Sequence, residues 1–210
     1  MDVRRRINSF EEYKEEYQKS VDNPEEFWAG HAESFVWKKK WDKVLDWNFS
    51  GPEVKWFEGG ELNITENCLD RHLEERGDKV AILWEPNEPG EAAIKLTYKE
   101  LHAKVCEFAN VLKAQGVEKG DRVCMYMPMV PELAIAVLSC ARIGAIHSVV
   151  FAGFSSKSLA DRINDAKCNI LITADGAFRG DKITPLKDIS DKAMQNTPSI
   201  EKCIVLKRTN

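Results

Sequence analysis

The segment from Ala145 to Thr184 constrains the fold of this chain more than any other. It contains two apolar runs rich in β-branched residues, Val149–Phe151 and Ile170–Thr173, separated by a segment with helical periodicity. A loop with glycine follows each run. This order predicts a βαβ unit, in which both strands carry their loops at one edge of a parallel sheet and ligands bind at the carboxyl ends of the strands.

The alternation of strand and helix patterns continues on both sides of this segment. The patterns predict strands over 122–127, 145–151, 169–174 and 202–207, and helices over 131–143, 156–166 and 186–195. We therefore expect an α/β fold with a doubly wound, mostly parallel sheet.

Two loops at the ligand-binding edge are candidate binding elements. The first, Ala152–Ser156, precedes a helix, and its Gly153 and Ser155 are interpreted as a turn residue and a helix N-cap rather than as an anion cradle. The second, Asp175–Lys182, contains two cations and two glycines. An anionic ligand is therefore expected at the second loop first.

The first third of the chain has a different character. Ser9 and Asn23 each precede a helical pattern with a glutamate three residues later, which predicts two short helices. Five of the six tryptophans then lie between Phe27 and Phe57, interleaved with lysines. Such a segment could stack nucleic-acid bases. Because nearby acids cancel its charge, we favour an irregular segment whose tryptophans dock onto a larger body.

Further elements are expected between this segment and the sheet. Residues 64–76 have apolar positions on one helical face, with Gly77 as a C-terminal cap and His72 as a packed histidine. The runs 80–84 and 93–96 flank a polar loop and predict a β-hairpin. Thr97–Glu100 is a capping box that opens a helix of about five turns.

Composition excludes several classes of function. The net charge of -4 and a pI near 5.7 give no general attraction to nucleic acid or to an anionic membrane. The six cysteines are scattered, which favours free thiols in a reducing compartment. The basic start, Met1–Arg6, is followed by polar residues rather than a leader sequence, and no apolar run reaches the ~18 residues of a membrane span. A cytoplasmic or organellar location is expected.

The motifs of several enzyme classes are missing. There is no G-x-G-x-x-G, no G-x-x-x-x-G-K-[ST] and no G-x-S-x-G, and the four histidines have no partners at any motif spacing. The residues alone therefore indicate an α/β ligand-binding segment. The chain stops directly after a predicted strand, and we expect it to be part of a longer protein.

Six motifs carry a resemblance to a known family. They are Pro24–Trp28, Val54–Asn63, Asn67–His72, Gly120–Val123, Met127–Met129 and His147–Ser155. In this order they resemble the amino-terminal third of AMP-forming acetyl-CoA synthetases, within the acetyl- and propionyl-CoA branch of the acyl-adenylate-forming superfamily. The resemblance covers the chain from about Ser9 to its end.

The resemblance implies a two-step ligase reaction for the parent enzyme. Acetate attacks ATP to give acetyl-adenylate and pyrophosphate, and coenzyme A then displaces AMP. The resemblance assigns residues 1–63 to an extension docked on the body, and 64–210 to an incomplete subdomain of the large amino-terminal domain. The phosphate loop, the acyl pocket, the residues that contact adenine and Mg2+, and the catalytic lysine follow this region in the family. The implied partners are therefore acetate, ATP, coenzyme A and the rest of the chain, and the segment alone is expected to be inactive.

One ligand site of the family falls within the chain. The resemblance places a coenzyme A contact at Arg179, Gly180, Asp181 and Lys182, although the family often has a second glycine where Asp181 stands. Arg and Lys suit the 3′-phosphate of coenzyme A, and Gly180 permits close approach of the backbone. Two alternatives stay open at this point. The cations could pair with Asp175 and Asp181 on a solvated turn, and the chain could be a non-catalytic coenzyme A- or protein-binding module.

Overall fold

The structure is a computed structural model that describes residues 6–209. The start of the chain, on which the leader-sequence argument depends, lies outside the described residues. The chain divides into two compact units, of which the first ends at Asn67 and the second begins at Cys68. The division into 1–63 and 64–210 stays a prediction.

The two helices expected at the start are present. Helix α1 spans Phe10–Asp22 and helix α2 spans Pro24–Ala32. Ser9 Oγ accepts a hydrogen bond from Glu12 N at 3.0 Å, so Ser9 is the predicted N-cap. Asn23 precedes α2, but its side chain makes no capping hydrogen bond.

The prediction that the tryptophan-rich segment is irregular is wrong, because the segment contains a β-hairpin. Strands β1 (Lys43–Asn48) and β2 (Glu53–Glu58) pair antiparallel, with Leu45 opposite Trp56 and Trp47 opposite Val54. Aromatic and aliphatic pairs across two strands stabilise a hairpin, and that pairing cannot be read from either strand alone. Docking of the tryptophans onto a larger body stays a prediction.

The helix expected over 64–76 is interrupted. The structure has α3 (Ile64–Cys68), a 3₁₀ turn (Asp70–His72) and α4 (Leu73–Arg76). Leu69 breaks the helix with φ of -123° and is only 2% exposed, because it packs with Val105 in an apolar cluster. Burial of one leucine has overridden the local helical pattern.

Gly77 is the C-cap of α4, as predicted, but it lacks the left-handed conformation that is common for glycine at helix ends. Its φ is -54°, in the right-handed region. A Cβ at this position would lie 2.4 Å from the carbonyl oxygen of Leu73 and 2.5 Å from the Lys99 side chain. Glycine is needed here for close approach rather than for backbone conformation.

The second unit opens with the predicted hairpin and helix. Strands β3 (Val80–Trp84) and β4 (Ile94–Thr97) pair antiparallel, and α5 spans Tyr98–Ala114. The capping box is complete: Glu100 N donates to Thr97 Oγ1 at 3.2 Å, and Thr97 N donates to Glu100 Oε2 at 2.8 Å.

The predicted parallel sheet is confirmed. Its strands are β5 (Arg122–Met127), β6 (Ile146–Phe151), β7 (Ile170–Ala174) and β10 (Lys202–Leu206), and the connecting helices are α6 (Pro131–Ile143), α7 (Ser156–Ala166) and α8 (Leu186–Met194). The predicted boundaries differ from the observed ones by at most one residue. The four strands lie in the order β10-β7-β5-β6, and every neighbouring pair is parallel.

Helices cover both faces of this sheet. Val123 and Met125 of β5 belong to one apolar cluster with α5 and α6 residues, whereas Cys124 and Tyr126 belong to another with α7 and α8 residues. All four are fully buried. Alternating side chains of a central strand thus serve two cores, as a doubly wound sheet requires.

Candidate ligand-binding site

A cleft of about 630 Å³ opens at the carboxyl ends of the parallel strands. Met127 ends β5, Phe151 ends β6, and Arg208 follows β10, and all three line the cleft. Trp84 and Phe178 complete its aromatic wall. The cleft lies at the sheet edge that the sequence predicted for ligand binding, although binding itself stays a prediction.

The loop predicted over Asp175–Lys182 is partly regular structure. Strands β8 (Ala177–Arg179) and β9 (Lys182–Thr184) form a short antiparallel hairpin, with Arg179 opposite Lys182. Gly180 has φ of +57°, a conformation that two-residue hairpin turns require at their first central residue. The glycine that the sequence suggested for close ligand approach therefore also has a structural reason.

The predicted site residues lie together at the tip of this hairpin. Arg179, Gly180, Asp181 and Lys182 are all exposed. Arg179 lines the cleft, whereas the other three are not among its lining residues. Arg179 and Lys182, directly opposite each other, bring two positive charges to one side of the hairpin.

The ion pairs that offered a structural explanation for these cations are not formed. Within residues 6–209, neither Arg179 nor Lys182 has a carboxylate within 4.0 Å. Asp175 instead accepts backbone hydrogen bonds from Gly176, at 2.7 Å, and from Arg208, at 2.9 Å. Its carboxylate joins the chain after β7 to the chain after β10.

Arg208 is a cleft residue that the sequence reasoning missed. Its guanidinium carbon lies 5.3 Å from the ring centroid of Trp84 and 5.3 Å from that of Phe178. Trp84 is itself fixed, because its Nε1 donates to the carbonyl oxygen of Met129 at 2.8 Å. Arg208 directly follows a predicted strand, so the rule that strand ends carry ligand contacts could have found it.

The other candidate loop, Ala152–Ser156, is fixed by the buried side chain of Tyr126. Its hydroxyl lies 3.1 Å from the carbonyl oxygen of Ala152 and 2.7 Å from that of Phe154, close enough to donate a hydrogen bond to either. Burial raises the pKa of Tyr126, so this hydroxyl stays a donor. Ser155 Oγ accepts from Ser158 N at 3.3 Å, which confirms Ser155 as the N-cap of α7.

A partly buried charge cluster lies among residues that do not line the cleft. Arg142 donates to both carboxylate oxygens of Asp70, at 2.9 Å each, and His102 Nε2 lies 3.2 Å from the same carboxylate. The hydrogen bonds from Arg142 hold the pKa of Asp70 below its usual value against the opposing effect of burial. These partners lie 32 and 72 residues from Asp70, so no motif spacing could reveal them.

The remaining reactive residues fit structural roles. All six cysteines are free, and Cys124, Cys140 and Cys168 are buried, whereas Cys68 is exposed. Burial raises the pKa of Cys140 to about 12. His72 packs against the Tyr98 ring at 5.4 Å, as expected for a packed histidine.

Two features are absent among the described residues. No three histidine, cysteine or acidic side chains among residues 6–209 are grouped so that they could hold a metal ion. Over the same range, the structure contains no helix with the length and apolar character needed to cross a bilayer. The location of the protein stays a prediction.

The chain matches the models of two known protein families. Residues 69–210 match the family model described as AMP-binding enzyme, and this chain belongs to that family. Residues 13–68 match a second model, described as the acetyl-coenzyme A synthetase N-terminus. The two matches follow one another along the chain.

The chain is also similar to curated proteins that are named acetyl-coenzyme A synthetase. The chain is 55% identical over 200 residues to an acetyl-coenzyme A synthetase of Magnetococcus marinus, covering 95% of this chain and 31% of the relative. It is 54% identical over 196 residues to one of Bdellovibrio bacteriovorus, covering 93% and 30%. The chain thus spans about a third of the length of these relatives.

A solved structure of an acetoacetyl-CoA synthetase from Streptomyces lividans is similar in fold. The TM-score is 0.82 at 28% sequence identity, over 90% of this chain and 29% of that chain. The predicted α/β class and the resemblance to acyl-adenylate-forming enzymes are therefore confirmed.

Proposed function

We propose that the complete protein is an AMP-forming acetate–CoA ligase. It would convert acetate and ATP to acetyl-adenylate and pyrophosphate, and then transfer the acetyl group to coenzyme A with release of AMP. The observation that carries this proposal is the 55% identity, over 95% of this chain, to a protein named acetyl-coenzyme A synthetase. The consecutive family matches over 13–68 and 69–210 support it.

Within this enzyme, the present chain would supply part of the coenzyme A site. Arg179 and Lys182 present a planar donor fork and a point charge side by side at an exposed hairpin tip, with no acid paired to either among the described residues. Both suit a phosphate group. The adjoining cleft has three aromatic rings, Trp84, Phe151 and Phe178, against which an adenine ring could pack.

The chemistry on ATP would take place outside this chain. No Gly-rich phosphate loop occurs in the sequence, and the described residues offer no cluster of acids for Mg2+. The chain alone is therefore proposed to be inactive in adenylate formation, because nothing in it can stabilise charge on the transferring phosphorus.

The proposal is tested with Arg179→Ala in the complete enzyme. If Arg179 binds the 3′-phosphate in both the ground state and the transition state, its loss raises the apparent constant for coenzyme A and leaves turnover at saturation nearly unchanged. A charge-assisted contact of roughly 1.5–3 kcal/mol corresponds to about a ten- to hundredfold rise. The measurement is steady-state kinetics with coenzyme A and with dephospho-coenzyme A, which lacks the 3′-phosphate.

Two results would contradict the proposal in different ways. Equal losses with both thiols would show that Arg179 shapes the hairpin without binding the phosphate. Absence of acetate-dependent ATP–pyrophosphate exchange in the complete wild-type protein would favour the non-catalytic module instead. Lys192→Ala, which removes an exposed cation from α8, is the matched control and should change neither thiol constant.

A further inference from the structure

Arg208 lines the cleft and has one buried hydrogen-bond donor without a partner among the described residues. This donor is its Nε. The nearby Trp84 and Phe178 rings attract the positive charge, but a ring accepts none of the in-plane N–H bonds well. A buried donor without a partner is costly, so this position suits a residue that completes its hydrogen bonds with a bound ligand.

The backbone of Arg208 is fixed before any ligand arrives. The N–H groups of Arg208 and Thr209 donate to the Asp175 carboxylate at 2.9 and 3.1 Å. A Cβ on Gly176 would lie 2.8 Å from Thr209 Oγ1, so the two segments approach closely because residue 176 is glycine. The backbone of Arg208 therefore needs little ordering on binding, which favours affinity.

The hairpin separates Arg208 from Arg179. Successive side chains of a strand point to opposite faces, so Phe178 and Arg179 of β8 project to opposite sides of the hairpin. Arg208 contacts the Phe178 ring and therefore lies on the face opposite Arg179. Both guanidinium groups line the cleft, but they approach it from different sides of β8, which favours two separate contacts over one shared phosphate.

The chemistry of the cleft around Arg208 favours an anion. Its lining includes one acid, Glu85, and this carboxylate forms no ion pair with Arg208 within residues 6–209. Arginine offers five donors in a planar fork, which matches the oxygens of a phosphate or diphosphate.

We propose that Arg208 is a second phosphate-binding residue of the cleft and that it binds the 5′-diphosphate of coenzyme A, while Arg179 binds the 3′-phosphate. This inference rests on the proposed function and assigns a ligand group to a residue outside the Arg179–Lys182 hairpin tip. Two phosphate positions on one nucleotide match two cations on opposite faces of one hairpin.

The test is a double-mutant cycle in the complete enzyme, with dissociation constants measured by calorimetry for coenzyme A and dephospho-coenzyme A. We expect Arg208→Ala to weaken both ligands by about ten- to hundredfold, because both carry the diphosphate. The ratio of the two affinities should stay at its wild-type value. The losses from Arg179→Ala and Arg208→Ala should multiply in the double variant, as for two independent contacts.

A merely structural role of Arg208 gives a different pattern. If Arg208 only supports the hairpin, Arg208→Ala also removes the contribution of Arg179, and the preference for coenzyme A over the dephospho form disappears. The double variant would then be no weaker than Arg208→Ala. Either observation would overturn the proposal, as would unchanged affinity for both ligands in Arg208→Ala.

Two further variants keep the test valid if Arg208→Ala perturbs folding. Arg208→Lys keeps the charge but lacks the donor fork, and it should recover only part of the affinity for both ligands. Lys207→Ala removes the neighbouring exposed cation, which does not line the cleft, and should leave both constants unchanged. Wild-type enzyme that fails to bind coenzyme A would refute the proposed function, whereas normal Arg179 behaviour with an unaffected Arg208→Ala would refute this inference alone.

Discussion

The two units of the chain are stabilised in different ways. In the second unit, every residue of β7 is buried, as is every residue of β5 except Arg122. Among residues 6–67 of the first unit, only Ala32 and Leu45 are buried apolar residues. Aromatic contacts take a larger part there: the Trp37 and Trp41 ring centroids lie 5.0 Å apart, and those of Trp41 and Phe57 5.2 Å.

This difference indicates which local sequence patterns determine structure. A buried strand or helix must satisfy a hydrophobic pattern along its own sequence. Large aromatic rings on half-exposed elements instead gain much of their stabilisation from specific partners elsewhere. The free energy of unfolding should therefore respond differently to substitutions in the two units.

The largest difference is expected between a sheet leucine and a hairpin tryptophan. Leu171 is fully buried between strands β5 and β10, whereas Trp47 is 58% exposed. Leu171→Ala should lower the free energy of unfolding by about 2–5 kcal/mol, through lost burial and a cavity. Trp47→Ala should cost about 1 kcal/mol or less.

Chemical denaturation followed by circular dichroism measures both values. A loss for Trp47→Ala as large as that for Leu171→Ala would show that the aromatic hairpin contributes as much to stability as the core of the sheet. The contrast between the two units would then be wrong.

A smaller difference is expected between two acids as the pH falls. The pKa of Asp70 is lowered chiefly by hydrogen bonds from Arg142, and that of Asp46 chiefly by Lys43. A carboxylate with a lowered pKa in the folded state stabilises the protein above its unfolded pKa of about 3.9, and this contribution is lost as the pH falls through the folded value.

Asp70 is partly buried with two hydrogen bonds from one guanidinium, whereas Asp46 is exposed to solvent and its ion pair is screened. We expect Asp70→Asn to reduce stability at pH 7 and to flatten its decline below pH 4. Asp46→Asn, the matched control, should leave the pH profile nearly unchanged. Equal profiles for the two variants would contradict this assignment.

Most of the parallel sheet could be predicted because each of its strands and helices carries a hydrophobic pattern within its own sequence. The helix predicted over 131–143, for example, is α6 with the same bounds, and Gly144 follows it with φ of +77°. Leu69 shows the limit, because its local pattern is helical but its burial beside Val105 breaks the helix. The β1–β2 hairpin was missed for a related reason: its stabilising pairs join residues on two strands.

Only part of the candidate site could be predicted from the sequence. Strand order placed the loop after β7 at the ligand-binding edge, and resemblance selected Arg179 and Lys182 within it. Arg208 was not found, because its importance depends on two rings that lie 124 and 30 residues earlier in the chain. The β8–β9 hairpin was not predicted, because strands of three residues give almost no periodic pattern in the sequence.

The smallest effect is expected at two helix N-caps. Ser9 caps α1, which has no buried residue, and Thr97 caps α5, which buries Leu101 and Val105. Removal of either cap by substitution with alanine costs about 1 kcal/mol. In α5 the helix stays attached to the core, so Thr97→Ala should lower the global free energy of unfolding by that amount.

In α1 the same loss should stay local, because little tertiary packing transmits it. Ser9→Ala should speed amide hydrogen exchange in the first turn, around Glu12, without a matching change in global stability. Asn23→Ala is the control, since the Asn23 side chain makes no capping hydrogen bond and its removal should change exchange in α2 very little. A global loss from Ser9→Ala equal to that from Thr97→Ala would mean that α1 unfolds together with the sheet, and the two units would then form one cooperative structure.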